Sequence, residues 1–483
     1  MTAKPQPEDY DLVILGSGAG AKLLAWTFAS RGQRVAAIER KYIGGACPNI
    51  ACLPSKNIIH TAQVAHYVRN SQDFGIAAGG FTVNMPVVRD RKRRMVQGLV
   101  DTHLDLYHQS GAELIMASGR FVGPRLLEAT LPDGTQRLLR GTNVVVGTGT
   151  HAAADDTPGL QESHPLTHVE ALELDVVPEH LIVLGGGYVG LEFAQAMRRF
   201  GSRVTVVDRN DRLLHREDDD VTEGLQKLFG DEGIHFALNA TVQRVSGKSG
   251  QSVSLTLLNN GEARTIEGSH LLVTGTRIPN TKDIGLELAG VELTDRGYIK
   301  VNERLETTAA GVWAVGEVAG SPHFTHISED DFRVVRDNLL GGNHATTGRQ
   351  VPFCLFTDPE FARIGLGETE ARQRGIAYRL FKVPMTAVLR ARSLMETRGF
   401  LKCLIERDSD RILGFSAFGV GAGEIMGAVQ IAMLGNLPYT ALREAILAHP
   451  TITEGLGVLL SATPAQPLFK LDSSPTVFEA SSK

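Results

Sequence analysis

Residues 10–21 read YDLVILGSGAGA, a short apolar strand that runs into a glycine-rich turn and then into a helical pattern. Gly16 allows the tight turn after the strand, Gly18 lets the backbone approach a pyrophosphate, and the small Ala21 lets helix and strand pack closely. The helix that starts near Gly20 offers free N–H groups and a partial positive charge to phosphates. This stretch predicts a dinucleotide-binding unit built as strand, turn and helix.

A second copy of the pattern spans residues 181–190, LIVLGGGYVG. In each copy the next strand ends in a carboxylate that can bind ribose hydroxyls, Glu39 in the first and Asp208 in the second. Asp208 favours NAD because a carboxylate there repels the 2′-phosphate of NADP, but Arg209 and Arg212 leave NADP open. One glycine turn alone is a weak signal, whereas two complete units predict two dinucleotide sites. The glycines expected to contact the second nucleotide are Gly185, Gly187 and Gly190.

The bulk composition limits the possible classes. The chain has 483 residues, 42% of them hydrophobic, and a net charge of −5. This length predicts several domains, and the negative charge argues against a nucleic-acid partner. No apolar run is long enough to span a membrane, and residues 1–9 lack an apolar signal core, so we expect a cytoplasmic protein with no membrane partner. The basic run at 89–94 is interpreted as the solvated face of a helix.

Two of the four cysteines, Cys47 and Cys52, follow closely on the first glycine unit. In a regular α-helix, residues five apart have Cα atoms about 8–9 Å apart, whereas a disulfide needs about 4.4–6.8 Å. The two could therefore bridge only across a distorted helix start, and Pro48 suits a first helical turn. Two unrelated buried cysteines are the alternative, but the position after a dinucleotide turn favours a reactive pair. Cys354 and Cys403 stand alone and are interpreted as small buried hydrophobes.

The ordered motifs over roughly residues 10–460 resemble those of the class I pyridine nucleotide–disulfide oxidoreductases, which include dihydrolipoamide dehydrogenase, glutathione reductase and mercuric reductase. Besides the glycine turns, the matching segments are 44–56 (GGACPNIACLPSK), 147–149 (GTG), 276–280 (TRIPN), 315–318 (VGEV), 356–360 (FTDPE) and 449–454 (HPTITE).

The resemblance implies an α/β fold with two Rossmann-like dinucleotide-binding domains and a C-terminal α+β dimerisation domain. It also implies FAD and NAD as cofactors, with NADP not excluded, and a homodimer whose active site is shared across the interface. The predicted parts are 1–156 (FAD-binding, first part), 157–277 (NAD(P)-binding), 278–350 (FAD-binding and central, second part), 351–465 (dimerisation) and 466–483 (flexible tail).

The same resemblance assigns roles to the residues of the cysteine segment. Cys52 would face the flavin as a thiolate, and Cys47 would exchange with the substrate. Lys56 would lie near the flavin and pair with Glu192, the acid that follows the second glycine turn.

His449 and Glu454 match the family's acid–base pair, which the partner subunit contributes. Thiol–disulfide exchange needs a group that moves protons near neutral pH; histidine meets that need, and a carboxylate can orient its charged form. Glu317 stands where the family usually has an aspartate that binds the flavin. Further residues expected to bind the cofactors are Thr148, Gly149, Gly275 and Arg277. No metal site is expected.

The predicted function is that of an FAD-dependent NAD(P)H:disulfide oxidoreductase, similar to dihydrolipoamide dehydrogenase, acting on a small-molecule or protein-bound disulfide. The alternative is a reductase of mercury(II) or copper(II) ions on the same scaffold, which is weakened because no cysteine follows Cys403 to form an extra C-terminal pair. A non-catalytic redox sensor would need a broken electron path, yet every relay position is filled.

Overall fold

The structure is a computed structural model that describes residues 6–259 and 261–465, apart from the side chain of Thr276. The chain forms two compact units. Of the described residues, one unit contains 6–216 and those from 222 to 351, and the other contains 217–221 and 352–465. The predicted tail at 466–483 lies outside the described residues.

The strands of the first unit are β1 (Glu8–Leu15), β2 (Val35–Glu39), β3 (Glu113–Met116), β4 (Ser118–Gly123), β5 (Leu126–Thr130), β6 (Gln136–Val146), β7 (Thr150–Ala153), β8 (His180–Leu184), β9 (Arg203–Val207), β10 (His235–Ala237), β11 (Ala240–Lys248), β12 (Ser252–Asn259), β13 (Glu262–Gly268), β14 (His270–Val273), β15 (Thr276–Pro279) and β16 (Val312–Ala314). Its helices are α1 (Ala19–Ala29), α2 (Ala46–Ile50), α3 (Cys52–Arg69), α4 (Met85–Ser110), α5 (His168–Ala171), α6 (Tyr188–Phe200), α7 (Asp219–Asp231, beginning in the second unit) and α8 (Thr325–Leu339). Short 3-10 turns lie at Ser71–Phe74, Leu286–Ala289 and Gly316–Ala319.

Two sheets of the first unit each begin a dinucleotide fold. The first has the order β3-β2-β1-β6-β5-β4, with β16 paired to β6, and its β1, β2, β3, β6 and β16 run parallel. The second has the order β10-β9-β8-β14 and is parallel throughout. Both glycine turns therefore follow a central strand, β1 or β8, at the carboxyl edge of a parallel sheet, where open α/β sheets bind ligands.

Burial explains why β1 and β8 read as continuous apolar runs rather than as alternating ones. Helices cover both faces of a parallel sheet, so every side chain of a central strand packs inward. Residues 12–15 of β1 and 181–183 of β8 are accordingly all buried. The core around β1 also takes in Trp313 of β16 and Phe28 of α1.

The second unit is an antiparallel sheet with helices. Its strands are β17 (Phe353–Leu355), β18 (Glu360–Gly365), β19 (Tyr378–Pro384), β20 (Phe400–Glu406) and β21 (Ile412–Gly419), in the order β17-β18-β21-β20-β19. Its helices are α9 (Glu368–Gln373), α10 (Leu389–Ser393), α11 (Ala422–Leu434), α12 (Tyr439–Arg443) and α13 (Gly455–Ser461), with a 3-10 turn at Met385–Ala387. This confirms the expected fold class, two Rossmann-like sheets followed by an α+β unit; the finer division into domains stays a prediction.

The basic run at 89–94 lies on α4, and one of its residues departs from the prediction. Arg91, Arg93 and Arg94 are exposed as expected, but Lys92 is buried and forms an ion pair with Glu173. The interpretation of a wholly solvated face was wrong at this position, because a carboxylate from a distant loop compensates the buried charge. Within the described residues, no helix is both long and apolar enough to cross a membrane.

Candidate active site

In the first glycine turn, two glycines have no room for a side chain and a third one has room for a small side chain. Gly16 has φ +101°, and a Cβ there would lie 2.5 Å from the carbonyl oxygen of Gly147. A Cβ on Gly20 would collide with the backbone of Ser328, whose hydroxyl accepts the Gly20 N–H at 3.1 Å. The nearest atom to a Cβ on Gly18 would be 3.6 Å away, so a small side chain there would make an ordinary contact and no clash. The turn thus offers the close backbone approach that a dinucleotide pyrophosphate needs.

Glu39 lies at the end of β2, where its carboxylate is almost fully engaged by protein donors. One oxygen accepts the N–H and hydroxyl of Ser17 at 2.9 and 2.8 Å. The other accepts the N–H groups of Lys41 and Tyr42 at 2.7 and 2.9 Å. A carboxylate offers about four acceptor sites, so a ribose hydroxyl would have to share one of them. The predicted ribose contact stays a prediction.

The second glycine turn repeats this arrangement. Gly185 has φ +109°, and a Cβ on Gly190 would collide with the Gly185 carbonyl oxygen, so both positions require glycine for close packing. No other described atom lies within 4 Å of a Cβ on Gly187, which therefore faces open space. The Asp208 carboxylate accepts the N–H of Gly186 at 2.6 Å and so lies directly beside the turn.

Thr148 and Gly149 are fixed by reciprocal hydrogen bonds with Asn280. The Thr148 hydroxyl donates to the Asn280 carbonyl at 2.9 Å, and the Asn280 amide side chain donates to the Thr148 carbonyl at 2.8 Å. The Asn280 N–H also donates to the Gly149 carbonyl at 2.9 Å. Gly149 and Gly275 each have no other described atom within 4 Å of a Cβ position, which leaves space beside both.

Glu317 forms an ion pair within the protein. Its carboxylate accepts a hydrogen bond from Arg277 at 3.1 Å and another from the Thr150 hydroxyl. Arg277 also donates to the Thr150 hydroxyl at 2.8 Å, which closes the triangle. The N–H of Gly316 donates to the fully buried Asp331 at 2.7 Å, so the turn that carries Glu317 is anchored to α8. The Glu317 side chain therefore contacts Arg277. These two residues, both predicted to bind the cofactors, form one ion pair.

The helix is broken between the two predicted redox cysteines. Cys47 lies in α2 and Cys52 begins α3, while Ala51 between them has φ −131° and ψ −104°. This break supplies the distortion that the spacing requires for the sulfurs to meet. All four cysteines lie in the described part of the chain and carry free thiols.

The two thiols of the pair have opposite acidities. A hydrogen bond from Cys47, assisted by Thr325 and by the charge of Lys56, outweighs burial and lowers the pKa of Cys52 to about 6. The same hydrogen bond, with burial, raises the pKa of Cys47. Near neutral pH, Cys52 is therefore the thiolate and Cys47 the thiol.

Cys52 contacts one side chain of α8 and is influenced by the charges of Lys56 on α3 and Glu192 on α6. Its sulfur lies 3.3 Å from the hydroxyl of Thr325, the first residue of α8. Lys56 follows one turn later on α3 and pairs with the buried Glu192 of α6 at 2.7 Å, as predicted. Sequence reasoning missed Thr325, because no local spacing links a residue on α8 to one on α3.

The predicted acid–base pair forms in the second unit. His449 Nδ1 lies 2.9 Å from Glu454 Oε2, and the His449 side chain is 65% exposed. The other Glu454 oxygen is buried and has no hydrogen-bond partner among the described residues. The carboxylate thus orients the imidazole and leaves Nε2 directed away from this bond.

Comparison with known proteins identifies the family. Residues 10–331 match the protein-family profile described as pyridine nucleotide-disulphide oxidoreductase, and residues 351–459 match its dimerisation domain. The chain belongs to this family of flavoprotein oxidoreductases. The predictions of an enzyme, of FAD and of a nicotinamide nucleotide as cofactors are therefore confirmed, and the dimerisation domain supports a homodimer.

Several relatives match over nearly their whole length. The probable pyridine nucleotide-disulfide oxidoreductase RclA of Escherichia coli (strain K12) is 34% identical and covers 94% of this chain and 99% of its own length. The mercuric reductase of Streptomyces lividans is 33% identical, covering 93% and 98%. The dihydrolipoyl dehydrogenase of Bacillus subtilis (strain 168) is 30% identical, covering 93% and 97%.

Solved structures agree with these sequence matches. The HOCl-induced flavoprotein disulfide reductase RclA from Escherichia coli superposes with a TM-score of 0.85 at 33% identity, covering 94% of this chain and 99% of that chain. A Cu(II) complex of the same reductase superposes with a TM-score of 0.86, with the same coverage.

Proposed function

We propose that this oxidoreductase takes two electrons from NAD(P)H and delivers them through the Cys47–Cys52 pair to an external disulfide. This is the reverse of the direction in which a dihydrolipoamide dehydrogenase oxidises its dithiol. The observation that carries the proposal is the pair of free thiols on either side of the helix break at Ala51, with the Cys52 sulfur 3.3 Å from the hydroxyl of Thr325. FAD, when bound, supplies the two-electron chemistry that links the nicotinamide hydride to the protein disulfide. The overall reaction is NAD(P)H + H⁺ + R–S–S–R → NAD(P)⁺ + 2 R–SH.

The residues fit the requirements for holding FAD. A Cβ on Gly18 would meet no clash, and the space beside Gly149 is open, so a pyrophosphate has room to approach this turn. Glu317 and Arg277 would lie near the middle of the cofactor, by the family resemblance. Lys56, paired with Glu192, would present a fixed positive charge near the flavin.

In the proposed exchange, Cys47 is the nucleophile toward substrate. His449 takes the proton of the Cys47 thiol, and the resulting thiolate attacks one sulfur of the external disulfide, forms a mixed disulfide and releases the first thiol. The Cys52 thiolate then attacks the Cys47 sulfur, which re-forms the internal disulfide and releases the second thiol. A low pKa at Cys52 keeps this resolving sulfur ionised near neutral pH.

Each released thiolate needs a proton, which we assign to His449. Glu454 holds its Nδ1 at 2.9 Å and stabilises the charged imidazolium that donates the proton. By the family resemblance, the pair acts on the Cys47 of the other subunit, so that a homodimer shares its active site across the interface. The dimerisation-domain match at residues 351–459 supports this assignment.

Steady-state oxidation of NADH by the purified FAD-loaded protein tests the proposal, with lipoamide offered beside copper(II) and mercury(II). Turnover of lipoamide is expected, and His449→Ala should slow it by about 10²–10⁴-fold, the usual size of an acid–base contribution. Cys47→Ser and Cys52→Ser should abolish lipoamide turnover. Cys354→Ser, which replaces a cysteine outside the pair, should leave the turnover unchanged. Absence of turnover with lipoamide and with small-molecule or protein disulfides would contradict the assignment.

A second candidate is reduction of a soft metal ion. It is favoured by the Cu(II) complex of the RclA relative and by the mercuric reductase of Streptomyces lividans, each about one third identical to this chain. Cys47 and Cys52 supply soft thiolates that suit such ions. Turnover with metal ions alone, unaffected by His449→Ala, would favour this candidate over the first.

We further propose NADH as the preferred electron donor. Asp208 is fixed by Gly186 through one oxygen, and its other oxygen accepts the N–H and amide of Asn210 at 2.8 and 2.7 Å. A carboxylate held in this way repels a 2′-phosphate, so kcat/KM should be higher with NADH than with NADPH. A cytoplasmic location stays a prediction.

A further inference from the structure

The side chain of Lys22 on α1 is held against His103 on α4. Lys22 Nζ lies 2.8 Å from His103 Nε2, and His103 is 9% exposed. Burial and the charge of Lys22 lower the pKa of His103 to about 4. The ring is therefore neutral near pH 7, and its Nε2 accepts a hydrogen bond from the ammonium. The hydrogen bond to His103 therefore holds the Lys22 ammonium in one position between α1 and α4.

Packing leaves His103 little freedom to move. Its ring lies 5.7 Å from the ring of Trp26, at an interplanar angle of 35°. A Cβ on Gly44 would collide with the His103 ring, and a Cβ on Gly45 would lie 2.5 Å from the Cα of Gly18. The start of the cysteine segment is therefore packed directly against α4 and against the glycine turn that leads into α1. These are the two helices that carry Lys22 and His103.

Cys47 follows this packed segment by two residues and interacts electrostatically with Lys22. The interaction favours the thiolate at Cys47 and the ammonium at Lys22. Burial lowers the pKa of Lys22, and the charges of Cys47 and of Glu329 on α8 act against that lowering. Cys52 acts in the opposite direction, because its negative charge disfavours a second thiolate beside it. The hydrogen bond with Cys52 and burial contribute most to the raised pKa of the Cys47 thiol, whereas a hydrogen bond with Thr325 and the charge of Lys22 act against that rise.

We propose that Lys22, held in place by His103, is a positioning residue that stabilises the thiolate of Cys47 while this sulfur exchanges with substrate. The inference rests on the function proposed above, because it concerns the reactivity of the exchanging thiol. It applies whether the electrophile is a disulfide or a soft metal ion, since both react with the thiolate. No local spacing in the sequence connects Lys22, His103 and Cys47.

The test measures the reactivity of Cys47 directly, without turnover. A Cys52→Ser background, loaded with FAD, leaves Cys47 as the thiol of the pair, and iodoacetamide labelling of its peptide is followed by mass spectrometry as a function of pH. Lys22→Met should raise the labelling midpoint by about one pH unit, the lower end of the effect of a nearby opposite charge. Labelling near neutral pH should slow only about threefold, because the more basic thiolate is also the better nucleophile.

Matched variants separate charge at this site from other effects. Lys22→Arg should keep the parent midpoint because the cation is retained, and His103→Phe should reproduce part of the shift because the cation is no longer held. The exposed Lys248→Met removes the same charge elsewhere and should change nothing. Lys22→Gln tests the same point with a polar side chain, should the methionine variant not fold.

The outcomes distinguish this inference from the function on which it rests. An unchanged midpoint in both Lys22→Met and Lys22→Gln would overturn the role of Lys22 and leave the dithiol mechanism standing. Failure of Cys47 to react at any pH in the parent background would instead contradict the proposed function itself.

Discussion

Replacing Lys402 with methionine should destabilise the second unit strongly. The ammonium of Lys402 is fully buried and donates to Asp218 at 2.8 Å, Asp220 at 2.8 Å and Glu368 at 3.2 Å. Methionine keeps much of the side-chain length but removes the buried cation from among the three carboxylates, of which Asp220 keeps Lys382 and Glu368 keeps Arg372 as more exposed partners. Removing one partner of a buried ionic cluster costs about 3–5 kcal/mol, and we expect the loss to fall in this range.

The effect should depend on pH in a defined direction. Burial opposes ionisation of Asp218, but the charge and hydrogen bond of Lys402 outweigh it and lower the pKa of Asp218 from 3.8 to about 2. In the parent protein, the ionised Asp218 adds to the free energy of unfolding above about pH 4. This contribution is lost as the pH falls through about 2, where the folded protein binds the proton. Without the cation the carboxylates bind protons more readily, so the gap between variant and parent should narrow as pH falls from 7 toward 4.

Hydrogen exchange at the amides of β20 is a suitable assay, because a chain with two units need not unfold in one step. Lys382→Met is the matched control: Lys382 binds the same Asp220 at 2.6 Å, but its side chain is 37% exposed, so its loss should cost less than about 1 kcal/mol. Equal losses in the two variants would refute the reasoning.

Calcium binding provides a second test of the same cluster. The ligand oxygens of Asp218, Asp220 and Glu368 all lie within 4.8 Å of one another. Once Lys402 is replaced, a divalent cation can take the position of the ammonium, since oxygen ligands suit calcium. Calcium should therefore restore part of the protection in Lys402→Met and have no such effect on the parent.

Two further predictions concern the candidate active site. Thr325→Val removes the hydroxyl that lies 3.3 Å from the Cys52 sulfur, so the pKa of Cys52 should rise. Labelling of Cys52 as a function of pH, in a Cys47→Ser background, measures this rise. An unchanged pH profile would count against the contact. Gly16→Ala should lower both the thermal midpoint and FAD retention, because φ is +101° and a Cβ would lie 2.5 Å from Gly147. Gly18→Ala meets no clash within the protein, so it should reduce FAD retention and leave the thermal midpoint of the FAD-free protein unchanged; a lower midpoint of the FAD-free protein, comparable to that of Gly16→Ala, would contradict this reasoning.

The sequence by itself determined the features that depend on local chemistry. The glycine turns at 16–21 and 185–190 require backbone conformations that L side chains avoid, so their position after an apolar run predicted both dinucleotide units. The spacing of Cys47 and Cys52 meant that the two could bridge only across a distorted helix start, and the structure has a break at Ala51 between them. The family resemblance also implied the pairing of Lys56 with Glu192 and of His449 with Glu454, and the structure has both pairs.

The tertiary structure alone decided which distant residues meet. Thr325 contacts Cys52 because α8 packs at the glycine turn, and Lys22 meets His103 because α1 and α4 are neighbours. Lys92 and Lys402 are charged residues that periodicity alone would leave in solvent, yet each is buried against carboxylates. Local patterns reflect backbone geometry, whereas the burial of a charge depends on a partner that only the folded chain brings within reach.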